Sequence, residues 1–548
     1  MKRYRAPIEQ NDAFDVIVIG GGISGAAIAY EAATRGLRVA LFEKGDFSEA
    51  TSAASSKLIH GGLRYLSNME YGLVRESLRE RRTLENIAPN FVYPCPMLFP
   101  HYQDQFKSNK WLLKIGLTLY DLLAFDKART WDAAQKIPNH TTISAEEALR
   151  KQPLFKREGL TGASQFYDCL NIFPERLALT FIKSAMAHTA EAANYARVDG
   201  FLFDNAGKTV QGVSVKDLIH DTTFDVRAAM TINCAGPWAD SVLALARRKS
   251  NDHPARRSEG IHIITKPLID DSAVVSAITP NGRHCFLIPW RGHTLIGTTD
   301  KAYHGHPDDY RVTRPSIEEL IAEVNASFHG LSLTYEDVRH CYGGLRPLVE
   351  DQTEETYTAS RKYEIHDNGT DGLNGLMTVE GGKWTTSRHL AEKTVDLLWD
   401  KTTLPISRSV SERIYLKGSE IRNINTFINL AKRENRDFDA DTVAYLARIY
   451  GTPFEEILTL ARQNPALAEP LNDAGDILAQ AVHAARHEMA HTLIDIVLRR
   501  TGIATLGNPG EAILRRVAMA VANDLGWDDA RIRQEVETTM AFLQIPVD

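Results

Sequence analysis

The sequence predicts an α/β protein that ends in a separate all-helical domain, and two observations support this prediction. Residues 14–43 have the pattern of an apolar strand, a glycine-rich turn, an alanine-rich helix and a second apolar strand, which is a βαβ unit. From residue 406 to the end, apolar residues recur at three- and four-residue spacing, as in amphipathic helices. The polar stretch at residues 400–412 is predicted to link the two parts.

The composition excludes several classes of protein. The chain has 548 residues, 43% of them hydrophobic and 24% charged, which is typical of a soluble protein with more than one core. A net charge of −7 argues against a nucleic-acid-binding protein driven by global charge. The five cysteines lack the spacing of a disulfide framework or a metal site. We therefore expect a cytoplasmic protein with no metal, no secretion signal and no spanning helix.

A glycine loop connects the first strand to the first helix. Gly20, Gly22 and Gly25 have the spacing G-x-G-x-x-G, and Glu43 ends the next strand. Such glycines let the backbone approach a pyrophosphate, the helix N-terminus supplies N–H groups, and the acidic residue accepts hydrogen bonds from ribose hydroxyls. The loop predicts a dinucleotide site, but FAD and NAD share this pattern.

A second glycine pair, Gly381 and Gly382, follows a later strand and precedes a helix opened by Thr385 and Thr386. A helix N-terminus directed at a flavin would stabilise the negative charge of the reduced ring. An ordinary capped helix explains the same residues equally well, so both interpretations stay open at this point.

Residues 55–66, SSKLIHGGLRYL, combine hydroxyls, a lysine, a histidine, two glycines and an arginine, which predicts a shaped loop. The same chain also contains, in this order along with that segment, the motifs DVIVIGGGISGAAIA, NCAGPW, IPW followed by LIGTTD, GGLRPL and GGKWTT. Together these motifs resemble those of the FAD-dependent glycerol-3-phosphate dehydrogenases, a branch of the glycine oxidase and D-amino-acid oxidase-like flavoproteins. The resemblance extends from about Asp15 to the C-terminus.

The resemblance implies a fold and an activity. The fold is a Rossmann-type FAD-binding domain interleaved with an antiparallel-sheet substrate domain over residues 1–405, followed by an all-helical domain over residues 406–548. The FAD part is expected at residues 13–100, 160–240 and 340–400. The implied activity is oxidation of sn-glycerol 3-phosphate to dihydroxyacetone phosphate, with FAD as cofactor and membrane quinone as electron acceptor. The resemblance leaves a homodimer open.

The resemblance also implies site residues. Those expected to contact FAD are Gly20, Gly22, Ser24, Gly25, Glu43, Thr51, Ser52, Ser56, Lys57, Leu58, His60, Gly61, Gly62, Ala235, Gly236, Gly382, Lys383 and Thr385. Those expected to bind the substrate are Arg64, Tyr65, Arg283, Thr298 and Arg361, and those expected to act in catalysis are His262, Arg346 and Lys383.

The chemistry assigns roles within this set. Arg64, Arg283 and Arg361 suit the phosphate and hydroxyl groups because guanidinium binds phosphate in a bidentate manner. His262 is the expected acceptor of the C2 hydroxyl proton because the unperturbed pKa of imidazole lies near neutrality. A lysine whose pKa is lowered by neighbouring arginines is the alternative acceptor.

Three competing functions share parts of this pattern. One is a glycerol-3-phosphate oxidase that uses oxygen, since no motif reports the acceptor. The second is an amine or amino-acid oxidase, which several arginines disfavour because one carboxylate needs fewer. The third is a non-catalytic flavin-binding membrane protein.

Two further motifs need an interpretation. His487 to His491 spell H-E-x-x-H, which on one helix would bind zinc, but the surrounding charged residues favour structural ion pairs. Residues 106–124 predict an interfacial helix flanked by Lys107, Lys110 and Lys114. Its apolar face would contain Trp111, Leu112, Ile115, Leu119, Leu122 and Leu123. Peripheral binding to the cytoplasmic face of the inner membrane is expected, and burial of that face in the core is the alternative.

Overall fold

The computed structural model describes residues 1–4, 13–103, 109–248, 255–348 and 362–547. Within these ranges the chain forms 18 strands and 14 α-helices. Arg361 and residues 106–108, including Lys107, lie outside the described residues, so their predicted roles stay predictions.

The strands are β1 (Phe14–Ile19), β2 (Val39–Phe42), β3 (Leu58–Ile59), β4 (Val92–Tyr102), β5 (Thr141–Ile143), β6 (Leu160–Asn171), β7 (Ala190–Ala193), β8 (Ala196–Phe203), β9 (Val210–Asp217), β10 (Thr222–Asn233), β11 (Arg257–Thr265), β12 (Val274–Ile278), β13 (His284–Trp290), β14 (His293–Gly297), β15 (Lys301–Tyr303), β16 (His340–Pro347), β17 (Tyr363–Asp367) and β18 (Leu376–Gly381).

The helices are α1 (Ile23–Thr34), α2 (Tyr71–Ile87), α3 (Lys110–Leu123), α4 (Ala145–Lys151), α5 (Pro174–Met186), α6 (Ala239–Arg247), α7 (Arg314–Ser327), α8 (Ser387–Lys401), α9 (Ile424–Glu434), α10 (Ala440–Tyr450), α11 (Phe454–Gln463), α12 (Leu478–His487), α13 (Glu511–Leu525) and α14 (Asp529–Phe542).

The first sheet has the order β17-β18-β10-β1-β2-β7. Strand β1 pairs in parallel with β2 and β10, as a βαβ crossover through α1 requires. Helices α5 and α8 pack against α1 on one face of this sheet. The predicted Rossmann-type sheet is confirmed, and its carboxyl edge carries the glycine loop.

The second sheet has the order β15-β11-β14-β13-β12-β4-β6-β3, and β16 pairs with β11. Its pairings are antiparallel except β4 with β12, which confirms the predicted antiparallel layer. Strands β4 and β6 belong to this sheet although they lie largely within ranges expected for the FAD part. Their placement differs because they pair with each other along almost their whole length.

The C-terminal part is helical. Helices α9 to α14 follow an irregular stretch from residue 402 to 423, and α8 includes the first two residues of the predicted linker. Apart from one isolated bridge between Pro470 and Ile477, the described residues after 401 form no strand. The predicted helical domain is confirmed.

The H-E-x-x-H motif does not lie on one helix. Helix α12 ends at His487, and Met489 has a φ of 54°. Glu488 is fully buried and accepts hydrogen bonds from the guanidinium of Arg176 at 2.9 and 3.0 Å. The two imidazoles therefore do not share a helical face, and Glu488 forms the kind of ion pair that the sequence predicts.

Helix α3 has two apolar faces. Leu117 and Tyr120 are buried against α2, whereas Trp111 and Ile115 are 66% and 68% exposed. The predicted interfacial face is thus largely on the surface and is not buried in the core. Among the described residues, no helix has both the length and the apolar composition needed to cross a bilayer.

Candidate active site

The glycine loop brings backbone segments into close contact at the end of β1. A Cβ on Gly25 would lie 1.9 Å from the carbonyl oxygen of Gly20, and a Cβ on Gly20 would lie 2.6 Å from that of Cys234. Only glycine fits at both positions. Cys234 precedes Ala235 and Gly236, so the second predicted cofactor segment lies directly beside the loop.

The N-terminus of α1 is suited to an anion. Its N-cap is Gly22, which offers no side-chain cap, and no acidic residue lies in the first turn, which includes Ser24. Ser52 partly replaces the cap, since its Oγ accepts from the N–H of Ile23 at 2.8 Å. The first turn of the helix therefore presents positive potential at the loop.

Glu43 lies at the end of β2, next to the glycine loop. Its carboxylate accepts hydrogen bonds from the N–H groups of Gly21, at 2.7 Å, and Gly45, at 2.8 Å. Burial raises its pKa above the ordinary value of a glutamate. The backbone hydrogen bonds fix the position of this carboxylate beside the loop.

The segment from Thr51 to Gly62 crosses between the two sheets and is tied to both. Thr51 Oγ1 donates to the carbonyl of Leu345 in β16 at 2.6 Å. The N–H of His60 donates to Thr385 Oγ1 at 3.2 Å, immediately before α8. The N–H of Gly61 donates to Asp168 in β6 at 3.1 Å. These hydrogen bonds fix the position of the segment from Thr51 to Gly62, which we call the strap. The predicted loop at residues 55–66 overlaps the strap and also contains the short strand β3 and a short helical turn at Leu63–Leu66.

A group of cations surrounds the end of this strap. Lys383 Nζ is buried, has no hydrogen-bond partner among the residues that the structure describes, and lies 4.7 Å from the ring centroid of Tyr65. The guanidinium of Arg64 lies 4.9 Å from the same ring and donates to the Tyr65 hydroxyl at 3.2 Å. A Cβ on Gly62 would lie 3.2 Å from Lys383 Nζ. The structure thus brings together Gly62, Arg64, Tyr65 and Lys383, which the sequence predicts as one site.

A second group lies near the middle of the strap, at Ser56. His262 Nε2 is 2.8 Å from Ser56 Oγ, and the His262 ring stacks on Tyr342 with centroids 5.1 Å apart. Arg346 donates to Thr298 Oγ1 at 2.7 Å. The positive charge of Arg346 also lowers the pKa of His262. His262, Thr298 and Arg346 are therefore neighbours, as the resemblance implies.

Burial changes the acid–base properties expected for this site. It lowers the pKa of His262 well below its ordinary value and lowers the pKa of His60 to about 3. Both imidazoles are neutral at physiological pH. His262 therefore does not titrate near neutrality in the structure, contrary to the expectation from the unperturbed pKa of imidazole. Burial also lowers the pKa of Lys383, which moves that amine toward the neutral form.

Two predicted residues direct their charges elsewhere. Arg283 pairs with Glu323 and donates to the carbonyl of Asp300 at 2.9 Å, so the substrate group does not receive its guanidinium in this structure. Lys57 Nζ lies 3.3 Å from Glu175. Glu175 supplies the counter-ion that a buried ammonium requires, and the predicted contact of Lys57 with FAD stays a prediction.

The remaining predicted cofactor residues form the frame of the site. Leu58 pairs with β6 in the second sheet. Gly382 has a φ of 84° and follows β18, directly before Lys383. Thr385 lies between the strap and the start of α8, and its hydroxyl also donates to the carbonyl of His60 at 3.3 Å.

Sequence reasoning did not identify the residues that support the strap from behind. Asp168 is buried and also accepts hydrogen bonds from Tyr120, at 2.8 Å, and Arg81, at 2.5 Å. Tyr342 donates to the carbonyl of Ser55 at 2.8 Å. These residues belong to four separate elements, and no motif links them in the sequence.

Comparisons with known proteins agree with this geometry. Residues 15–388 match the family model described as FAD dependent oxidoreductase, and residues 409–532 match the C-terminal domain of alpha-glycerophosphate oxidase. A glycerol-3-phosphate dehydrogenase of Synechocystis is 34% identical, over 98% of both chains. An alpha-glycerophosphate oxidase of Streptococcus pneumoniae is 30% identical, over 97% of this chain and 96% of the relative.

A solved structure is also similar over nearly the whole chain. The glycerol-3-phosphate dehydrogenase from Bacillus halodurans, complexed with FAD, has a TM-score of 0.77 and 28% identity, covering 98% of this chain and 96% of that one. The similarity includes both the interleaved sheets and the C-terminal helical domain.

The parallel sheet, the glycine loop and the buried cations define a dinucleotide-dependent oxidoreductase. The chain belongs to the FAD-dependent oxidoreductase family, in the branch of the glycerol-3-phosphate dehydrogenases. FAD is therefore its cofactor. The residues present fit FAD. The tight glycine loop suits the pyrophosphate, and Glu43 suits the ribose. The buried amino group of Lys383, which has no hydrogen-bond partner among the described residues, suits an anionic group.

The buried histidines make folding sensitive to acid. His340 lies near Lys57, and burial lowers its pKa to about 4, so the folded state stays neutral where the unfolded state binds a proton. Stability from this group is present above about pH 6.5 and is lost as the pH falls below it. Between pH 7.5 and 5.5 the native protein should lose about 1.4 kcal/mol more than a His340→Asn variant.

Denaturant unfolding of the holoenzyme at the two pH values measures this difference. The surface residue His304, substituted in the same way, serves as the control and should leave the pH dependence unchanged. Identical pH dependence of the native protein and the His340→Asn variant would contradict the assignment of a neutral buried imidazole.

Proposed function

We propose that this chain oxidises sn-glycerol 3-phosphate to dihydroxyacetone phosphate and delivers the electrons to a membrane quinone. The observation that carries the proposal is the buried amino group of Lys383, which has no hydrogen-bond partner among the described residues and lies beside Arg64 and Tyr65 at the end of the strap. FAD supplies the hydride acceptor when it is bound. The names of the relatives, glycerol-3-phosphate dehydrogenase and alpha-glycerophosphate oxidase, support the same substrate.

The charge of the site favours a phosphorylated alcohol over an amino acid. Two guanidinium groups, Arg64 at the end of the strap and Arg346 beside His262 and 3.7 Å from Asp300, suit a dianionic phosphate better than a single carboxylate. Arg361 stays a prediction for the same role. Arg283 is a weaker candidate because Glu323 already neutralises it.

The proton of the C2 hydroxyl needs an acceptor as hydride leaves the carbon. Nε2 of His262 is already bonded to Ser56, and burial makes this imidazole a weak base. Lys383 has an unpartnered amine and a lowered pKa, so a neutral fraction is available nearer to physiological pH. We infer that Lys383 is the acceptor and that His262 holds the strap.

Turnover with a soluble quinone analogue tests the proposed reaction. The purified holoenzyme should produce dihydroxyacetone phosphate and quinol in equal amounts from sn-glycerol 3-phosphate. If hydrogen peroxide formed at the same rate as dihydroxyacetone phosphate and the quinone analogue stayed oxidised, the result would support the oxidase alternative. Oxidation of amines or amino acids in place of glycerol 3-phosphate would contradict the substrate.

Replacement of the lysine tests the assigned proton acceptor. A Lys383→Met variant should reduce flavin with glycerol 3-phosphate at least about 100-fold more slowly, because general base catalysis contributes this much. Anaerobic stopped-flow absorbance measures the rate. A Lys383→Arg variant cannot act as the base, because a guanidinium stays protonated, so it should lose rate as well.

The alternative acceptor gives the opposite pattern in the same assay. If His262→Gln abolished flavin reduction while Lys383→Met left the rate and its pH profile unchanged, the assignment to Lys383 would be wrong.

Helix α3 supports the proposed membrane location. Trp111, Ile115 and Leu122 are each about two-thirds exposed on one face, and Lys110 and Lys114 lie on the same helix. The opposite face packs on the apolar residues that follow Arg64 and Tyr65. An interfacial helix at this position would place the flavin site close to a lipid-dissolved quinone on the cytoplasmic side of the inner membrane. The homodimer stays a prediction.

Introduction of negative charge on that face tests membrane binding. A Trp111→Glu, Ile115→Glu variant should bind vesicles containing anionic lipid at least about tenfold more weakly, because two apolar side chains no longer enter the interface. Sedimentation with vesicles measures binding. Met519 and Phe542 are each 60% exposed on the C-terminal domain. Their replacement by glutamate is the matched control and should leave binding unchanged; equal losses in both variants would exclude α3 as the contact.

A further inference from the structure

The loop that follows Glu43 is held by the C-terminal domain. Asp46 is fully buried and accepts hydrogen bonds from Arg499 Nε at 2.6 Å and from both terminal nitrogens of Arg500 at 2.7 and 2.8 Å. Both arginines lie on one short helical turn, Asp495–Arg500, between α12 and α13. Two buried cations from a domain outside the βαβ unit therefore converge on one carboxylate of its ribose-side loop.

A second tie connects the same loop to the same turn. Tyr195 donates its N–H to the carbonyl of Gly45 at 2.8 Å and its hydroxyl to Asp495 at 2.7 Å. Arg499 also donates to Asp495 at 2.6 Å. The turn Asp495–Arg500 thus grips the loop at two adjacent residues, Gly45 and Asp46.

This grip reaches Glu43 through the backbone. The N–H of Gly45 donates to Glu43 Oε1, and Gly45 is bonded covalently to Asp46. A displacement of Asp46 would move the Gly45 N–H and release one of the two backbone hydrogen bonds that orient the Glu43 carboxylate. Because a ribose needs an acceptor in a fixed position, a small displacement weakens recognition.

We propose that Asp46 and Arg500 are positioning residues for the adenosine ribose of FAD, so that the C-terminal domain completes the FAD site by holding Glu43 in place. The proposal rests on FAD binding and does not depend on the substrate. Its alternative is that this ion pair only joins two domains and contributes to stability.

The chain offers a matched control for that alternative. Arg291, in the turn between β13 and β14, and Asp476 form another buried ion pair to the C-terminal domain, with Nη2 and Oδ2 2.6 Å apart. The side chains of Arg291 and Arg500 are 3% and 1% exposed, so the two arginines are comparably buried. Among the described residues, Arg291 and Asp476 make no hydrogen bond to the loop from Glu43 to Asp46 or to Arg499 and Arg500.

The dissociation constant of FAD, measured by flavin fluorescence at a temperature where every variant is folded, tests the proposal. Arg500→Met should raise this constant about tenfold or more, because loss of charged hydrogen bonds frees the loop. Arg500→Lys should restore part of the affinity. Arg291→Met should lower the melting temperature and leave the dissociation constant unchanged. Asp46→Asn, which preserves shape, replaces Arg500→Met if that variant does not fold.

A double-mutant cycle with Glu43→Gln gives a readout that a purely structural role would not move. If the positioning is real, Glu43→Gln weakens FAD binding strongly in the native background and only slightly with Arg500→Met or Asp46→Asn, since the carboxylate is already misplaced. Additive effects in the cycle would overturn the proposal. Equal increases of the dissociation constant in Arg291→Met and Arg500→Met would overturn it as well.

Discussion

The position of the strap from Thr51 to Gly62 is the constraint on which the active site depends. The strap is hydrogen-bonded to the second sheet through Leu345 and Asp168 and to the α8 side of the first sheet through Thr385. Ser52 at its start supports α1, and Gly62 at its end lies against Lys383. Because one segment touches both layers, the dinucleotide loop and the cation group keep a fixed relation to each other.

The charges at the site are held in place at a cost in folding free energy. Among the described residues, the buried Nζ of Lys383 has no hydrogen-bond partner, and the neutral imidazoles of half-buried His60 and buried His262 lie near cations that oppose their protonation. Such groups destabilise the folded state unless other contacts compensate. Asp168, with Tyr120, Arg81 and Gly61 around it, is a compensating network, and it places a negative charge behind the cation group. A bound substrate phosphate would add negative charge beside the cation group at the end of the strap.

The local sequence was sufficient to predict the parts of the molecule in which the residues that act together are close in the chain. The glycine loop and Glu43 have a spacing that follows from βαβ geometry, and the helical periodicity after residue 406 identified the last domain. The destinations of long charged side chains were not accessible in this way. Arg283 and Lys57 were expected in the site, yet Glu323 and Glu175 pair with them, since a buried charge takes the nearest counter-ion in three dimensions. The pKa of His262 also differs from the expected value, because the burial of its ring against Tyr342 and Arg346 joins two strands, β11 and β16, that are far apart in the sequence.

The central claim is that the cations of the strap bind a phosphorylated alcohol whose hydride reduces FAD. The most direct measurement is the absorbance of the holoenzyme near 450 nm, where oxidised flavin absorbs, after anaerobic addition of sn-glycerol 3-phosphate and, separately, of glycerol. We expect rapid and complete bleaching of the flavin absorbance with glycerol 3-phosphate and far slower bleaching with glycerol, which lacks the phosphate. A flavin that stays oxidised with glycerol 3-phosphate, or one that both alcohols reduce equally fast, would contradict it.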